Sequence, residues 1–173
     1  MARYLELRRH SDSDGDVLSA EGVQAALEIG RRLTGPYLLL VSSGAQRATQ
    51  TLACFACGFA EEVSGGVIVE PGLRSDVEDR WRAAYQTAGS GELSALREAD
   101  PELVRADSER LAGALRRILD RLPDQRRALA VGHSPTNEAA VFGLTGELVP
   151  PISKGAGVLV VAEANRFRVE PLS

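Results

Sequence analysis

Short apolar runs alternate with amphipathic stretches at helical spacing along most of this chain. Ala2 to Arg9 reads as a strand, although Glu6 and Arg8 suit a strand covered on both faces poorly. They either pair with neighbours or mark a face that is only partly covered. Ser11 to Asp16 is polar and turn-prone. Ser19 is placed to cap a helix over Ala20 to Leu33, in which Val23, Ala26, Leu27, Gly30 and Leu33 share one face. Gly35-Pro36 ends that helix. Tyr37 to Val41 is a continuous apolar run, the pattern of a strand covered on both sides. Ser42-Ser43-Gly44 turns the chain into a helix from Ala45 to about Phe55. Val67 to Val69 forms a third strand, stopped by Pro71-Gly72.

Ser75 to Arg110 has a different character. It is charged, helical in pieces, and broken at Gly89-Ser90-Gly91 and at Pro101. Its polarity argues against a core layer, so residues 75–110 are expected to form a small inserted helical cap over or beside the sheet edge. Leu111, Leu115, Ile118, Leu119 and Leu122 then give an amphipathic helix returning to the sheet. Ala128 to Val131 is a fourth strand. Ser134-Pro135 opens another helix, with proline at the first helical position, where its missing N–H is not needed. Gly157 to Ala162 and Phe167 to Val169 read as a terminal hairpin around Ala164-Asn165. Strands alternating with helices predict one α/β domain over residues 1–173. Its architecture is three-layered, a mostly parallel sheet flanked by helices.

Composition narrows the function only slightly. At 173 residues the chain can bury a core without disulfides or metals. A net charge of −4 argues against a general nucleic-acid binder, which needs a basic face. No apolar run approaches the roughly 20 residues that span a bilayer, and Met1 to Glu6 lacks the apolar stretch of a signal peptide. A cytoplasmic protein without membrane partners is expected, with its oligomeric state open. Cys54 and Cys57 form a C-x-x-C string well inside or near the end of a helix, which suits small core residues better than a redox or metal site.

The chemistry gathers around the two histidines, the only ones in the chain. His10 closes the first strand and His133 the fourth, and ligands of open α/β sheets bind beyond the carboxyl ends of strands. A neutral imidazole is a competent nucleophile toward phosphorus. Such a reaction needs the phosphate charge neutralised by planar guanidinium groups. Arg9 stands beside His10. Arg47 lies in the first turn of a helix that opens at the same sheet edge, where free N–H groups and the dipole favour anions. An arginine there opposes the dipole unless an anion is near. Neither an Arg-His pair nor a lone histidine is specific by itself. The repeated topological position is what makes chance a weak explanation. No His-x-His or His-x-x-x-His spacing exists to suggest zinc.

Four ordered motifs resemble the histidine phosphatase superfamily, the group that includes cofactor-dependent phosphoglycerate mutases. They are Arg9-His10-Ser11; Leu18-Ser19-Ala20-Glu21-Gly22-Val23-Gln24-Ala25; Ser43-Gly44-Ala45-Gln46-Arg47-Ala48-Thr49-Gln50-Thr51; and Gly132-His133. The resemblance implies that His10 is the phosphorylated nucleophile. Arg9 and Arg47 hold phosphoryl oxygens, and His133 donates a hydrogen bond to the transferring group. Neither a metal nor a cofactor is implied.

Two departures stand out. Ser11 replaces the glycine that follows the nucleophile, so its side chain either joins the substrate-binding groups or turns away. Leu73-Arg74-Ser75 places serine where the family carries the glutamate of its general acid. Asp76 is the nearest substitute, with Glu78 and Glu70 as fallbacks; a solvated or helix-capping role suits Asp76 equally well. Trp81 either lines the cap side of the pocket or anchors the cap. The expected activity is a metal-free phosphatase acting on a phosphorylated small molecule or phosphoprotein, through a phosphohistidine on His10. The alternatives are a catalytically weak phosphate-binding member and a mutase-type phosphotransferase. Short length and the small cap favour hydrolysis.

Overall fold

The computed structural model describes residues 1–172. Its central sheet contains β1 (Ala2–Arg9), β4 (Leu39–Ser42), β5 (Val67–Val69), β6 (Arg127–Gly132), β7 (Gly157–Glu163) and β8 (Arg166–Pro171). Their order is β5-β4-β6-β1-β7-β8. The first four neighbours run parallel, whereas β1–β7 and β7–β8 are antiparallel. The expected three-layer α/β architecture with a mostly parallel sheet is what the chain adopts.

Side chains alternate across the sheet with the two-residue period of a strand. In β6, Ala128 and Ala130 face one apolar cluster, and Leu129 and Val131 face the other. The second cluster is completed by helices α1 (Ala20–Arg32) and α2 (Gln46–Ala56). The first is larger. It takes in α3 (Glu78–Ala88), α4 (Leu93–Ala99), α5 (Pro101–Asp120) and α6 (Thr136–Thr145). Ser19 caps α1 as expected, its hydroxyl accepting from Gly22 N.

Glu6 and Arg8 pair with each other and with neighbours. Leu5 and Leu7 enter the larger cluster, so Glu6 and Arg8 project to the opposite face. There Glu6 accepts a 2.5 Å hydrogen bond from the Tyr37 hydroxyl and lies 3.5 Å from Arg8. Burial, reinforced by the bonded Glu6 carboxylate, raises the Tyr37 phenol well above its ordinary range.

The turn expected at Ser11–Asp16 contains a miniature hairpin, β2 (Ser13–Asp14) paired with β3 (Val17–Leu18). The segment expected as a polar cap needs a larger correction. Pro101 starts a helix instead of breaking one, because Asp100 caps it by accepting from Leu103 N. Residues 101–110 are therefore the first half of α5, and Leu103 and Val104 are buried in the main core. Trp81, Ala84, Leu93 and Leu96 join them. Their apolar face was hidden by the charge density around it. Trp81 anchors α3 to the body, its indole N–H donating to Asp107 at 2.6 Å. Pro135 occupies the capping position of α6 rather than its first turn. Cys54 is partly buried and Cys57 exposed at the end of α2, both free, so only Cys54 contributes to packing.

Candidate active site

Parallel pairing brings the ends of β1, β4 and β6 to one edge. His10 follows β1, Ser43 follows β4 and His133 follows β6. The backbone locks them together: His10 N donates to Gly132 O at 3.0 Å and Ser43 N to Val131 O at 3.2 Å. The two imidazoles consequently lie side by side, tilted by 58°, with centroids 5.3 Å apart.

The protonation states follow from these surroundings. The Nδ1–H of His10 is 2.7 Å from the Ser11 carbonyl, an acceptor only. That contact fixes the tautomer and leaves the Nε2 lone pair free. Burial lowers the His10 pKa, and the positive charges of Arg47, Arg9 and Lys154 lower it further. His133 is held down at about 3, first by burial and then by Arg47, His10 and Arg74. Both rings are neutral at physiological pH. The Ser43 hydroxyl lies 2.7 Å from His133 Nε2.

The two arginines are placed differently. Arg9 donates Nη1 to the Ile152 carbonyl at 3.0 Å. Arg47 lines a cavity of about 290 Å³ with His133, Ser75, Glu78, Trp81, Arg82, Tyr85 and Ser134–Thr136. The anion that its place in a first helical turn demands is supplied internally by Asp16. That carboxylate accepts from Gln46 N at 3.3 Å, Arg47 N at 3.2 Å and Arg47 Nη1 at 2.8 Å. Those bonds hold the Asp16 carboxyl below its ordinary range, the Arg47 backbone N–H most of all. Nothing in the sequence pattern marked Asp16, because the hairpin that delivers it is too short to leave a signal.

Ser11 turns away. Its hydroxyl donates to Gly22 O at 2.7 Å and its amide to Thr51 Oγ1 at 3.0 Å, so its side chain braces α1 and its backbone α2, and the hydroxyl does not face the cavity. Among the three carboxylates considered as acid, Asp76 projects outward, 86% exposed, 3.6 Å from Arg110. Glu70 caps the 3₁₀ turn at Pro71–Leu73 and pairs with Arg117 at 2.6 Å. Only Glu78 reaches the cavity wall, ion-paired to Arg74 at 2.6 Å. Ser75, at the position of the family glutamate, is buried and donates to Asp107 at 2.7 Å.

Gly132 has a steric role. A Cβ there would fall 2.4 Å from Asn137 Oδ1, which accepts from His133 N, while Asn137 Nδ2 donates to Arg8 O. Glycine makes room for the side chain that ties the His133 loop to β1. Gly132→Ala is expected to destabilise the fold by about 1–3 kcal/mol through overpacking, read as a lower Tm by calorimetry.

Another hollow, of about 280 Å³, lies between Leu33–Tyr37 and Phe59–Val63, away from both histidines and without a basic side chain. No cluster of three His, Cys, Asp or Glu side chains able to hold a metal exists among the described residues. Nor, among them, is any helix long and apolar enough to cross a membrane.

A family model for the histidine phosphatase superfamily, branch 1, matches residues 3–153. The chain belongs to that superfamily. Among solved structures, a phosphoglycerate mutase from Bacillus anthracis str. Sterne shares 18% identity and a TM-score of 0.75, covering 99% of this chain and 92% of its own. A phosphoserine phosphatase from Entamoeba histolytica, in complex with 3-phosphoglyceric acid, shares 16% identity at TM-score 0.71, covering 96% and 94%. The protein histidine phosphatase SixA, complexed with tungstate, shares 18% at TM-score 0.58, covering 98% and 94%. At such identities the likeness shows the fold, which is phosphoglycerate mutase-like. No curated protein gives a significant sequence match. Members of the superfamily are phosphatases and mutases, which supports an enzymatic role for this chain.

Proposed function

We propose that this chain is a phosphatase that hydrolyses phosphomonoesters or phosphohistidine through a phosphoryl group carried on His10. The observation that carries the reading is the pair of neutral imidazoles 5.3 Å apart, one with its Nε2 lone pair unengaged, beside Arg47. His10 Nε2 attacks phosphorus as the leaving oxygen departs on the far side, into the cavity lined by His133 and Ser134. Arg9 and Arg47 neutralise the phosphoryl oxygens, and His133 donates a hydrogen bond to them. Water then displaces His10 from phosphorus and releases phosphate. Every step is carried by side chains of this chain, without a metal or cofactor.

Hydrolysis is preferred to transfer on the short length of the chain. Its substrates are phosphorylated small molecules or phosphoproteins, without nucleic-acid or membrane partners. Two free cysteines suit a reducing cytoplasm. One observation supports the alternative of a weak phosphate binder: Ser75 stands where the family carries its acid, and its hydroxyl is engaged by Asp107. Steady-state assays separate the two. Turnover of p-nitrophenyl phosphate that persists in excess EDTA is expected; phosphate binding without turnover would favour the binder.

A further inference from the structure

Among the described residues Glu138 is the most deeply buried carboxyl, and the mechanism above leaves it unused. It lies in the first turn of α6, 0% exposed. Its Oε2 sits 2.5 Å from the Ser134 hydroxyl, and its Oε1 has no hydrogen-bond partner. Ser134 in turn lines the same cavity wall as His133 and Arg47. A carboxyl group sealed from water thus touches a hydroxyl that borders the space where a leaving group must depart.

The charged group acting on Glu138 is Arg9, at the end of β1. From the loop before α6 it meets Ser134. α5 packs along α6 at Gly143 through the Ser108 backbone and the Ala112 methyl, which carry no charge. Burial raises the Glu138 carboxyl to about 7 against the smaller opposing pulls of the Ser134 hydroxyl, its own backbone amide, Arg9 and the Ile152 amide. Near neutral pH a large fraction therefore carries its proton. Glu78 offers no equivalent, because its carboxylate is ion-paired to Arg74. An ionised carboxylate only accepts hydrogen bonds.

Resting on the phosphohistidine reading, we infer that Ser134 and Glu138 form the proton relay that replaces the missing family acid. As His10 Nε2 bonds to phosphorus and the P–O bond to the leaving group breaks, the Ser134 hydroxyl, which donates to Glu138 Oε2 at rest, turns to give its proton to that oxygen and takes one from the Glu138 carboxyl. In the second step water bonds to phosphorus, the N–P bond breaks, and a water proton returns through Ser134 to the Glu138 carboxylate. Atoms and charge balance over the cycle. Alkyl phosphomonoesters, whose leaving groups need a proton, thereby become substrates alongside activated ones.

The test compares wild type, Glu138→Gln, Ser134→Ala and Glu78→Gln on p-nitrophenyl phosphate and on a panel of alkyl phosphates. Both relay variants should lose about 10²-fold or more in kcat on alkyl phosphates and less than about threefold on the aryl ester. Wild-type kcat on alkyl phosphates should fall as pH rises through about 7, and that limb should vanish in Glu138→Gln. Equal losses on both esters would mark Glu138 as merely supporting Arg9, and would overturn the relay. The same holds if the selective loss belongs to Glu78→Gln, or if wild type hydrolyses only aryl phosphates. Absence of wild-type turnover on every ester would remove the phosphatase reading itself.

Stability gives a second readout, independent of activity. A carboxyl raised in the folded state loses stability as pH climbs from its ordinary range through about 7. Glu138→Gln should therefore raise Tm by about 5 °C or more at pH 8 and leave it unchanged near pH 4. Identical Tm values at both pH values would refute a protonated Glu138.

Discussion

His10→Ala is expected to abolish turnover, with kcat on p-nitrophenyl phosphate falling by about 10⁴-fold or more. The expectation rests on the tautomer. Ser11 O takes the Nδ1–H, so Nε2 is the sole nucleophilic nitrogen on that ring. His133 cannot substitute, since its Nε2 carries the proton that it donates, to Ser43 at rest and to the phosphoryl group in the reaction, and its Nδ1 is buried. Phosphate should still bind the alanine variant, because Arg9 and Arg47 remain. Calorimetry would report little change in Tm, as a half-buried imidazole contributes little packing. Activity retained in this variant would move the nucleophile elsewhere.

Arg47→Ala should cost about 10²–10³-fold in kcat/KM, or roughly 3–4 kcal/mol of transition-state stabilisation. One nitrogen of its guanidinium is held by Asp16 at 2.8 Å, and the rest of the fork stays available beside His133. Arg47→Lys should recover only a small part, since a single ammonium cannot hold Asp16 and two phosphoryl oxygens together. Measured kcat and KM should show that most of the loss falls on kcat, because charge and geometry change most at the moment of transfer. A loss confined to KM would assign Arg47 to ground-state binding alone.

The sheet and both histidines were legible in the chain because their signals are local. Tyr37 to Val41 is apolar throughout, Ser19 caps α1 from sequence spacing, and His10 and His133 each directly follow a strand. Other features depend on side-chain contacts that the sequence pattern does not show, some across more than 20 residues. Asp107 and Ser108 interrupt the apolar face of α5, yet both are buried, Asp107 by bonds to Ser75, Trp81 and Arg110. A polar pair on an inner face disguises a core helix as a surface one. Asp76 followed Leu73-Arg74-Ser75 closely enough to suggest an acid, but the 3₁₀ turn and α3 direct it outward to Arg110. Glu138 reads as an ordinary acidic residue in a first helical turn. Only the packing of α6 against β1 and the Ser134 hydroxyl distinguish it.

The decisive measurement is a rapid acid-free quench during turnover of p-nitrophenyl phosphate, followed by peptide mass spectrometry. One phosphoryl group per chain, stable to base, labile to acid and located on His10 Nε2, is the expected result. Turnover with no covalent phosphoryl group, or with one on Ser43 or His133 instead, would contradict it.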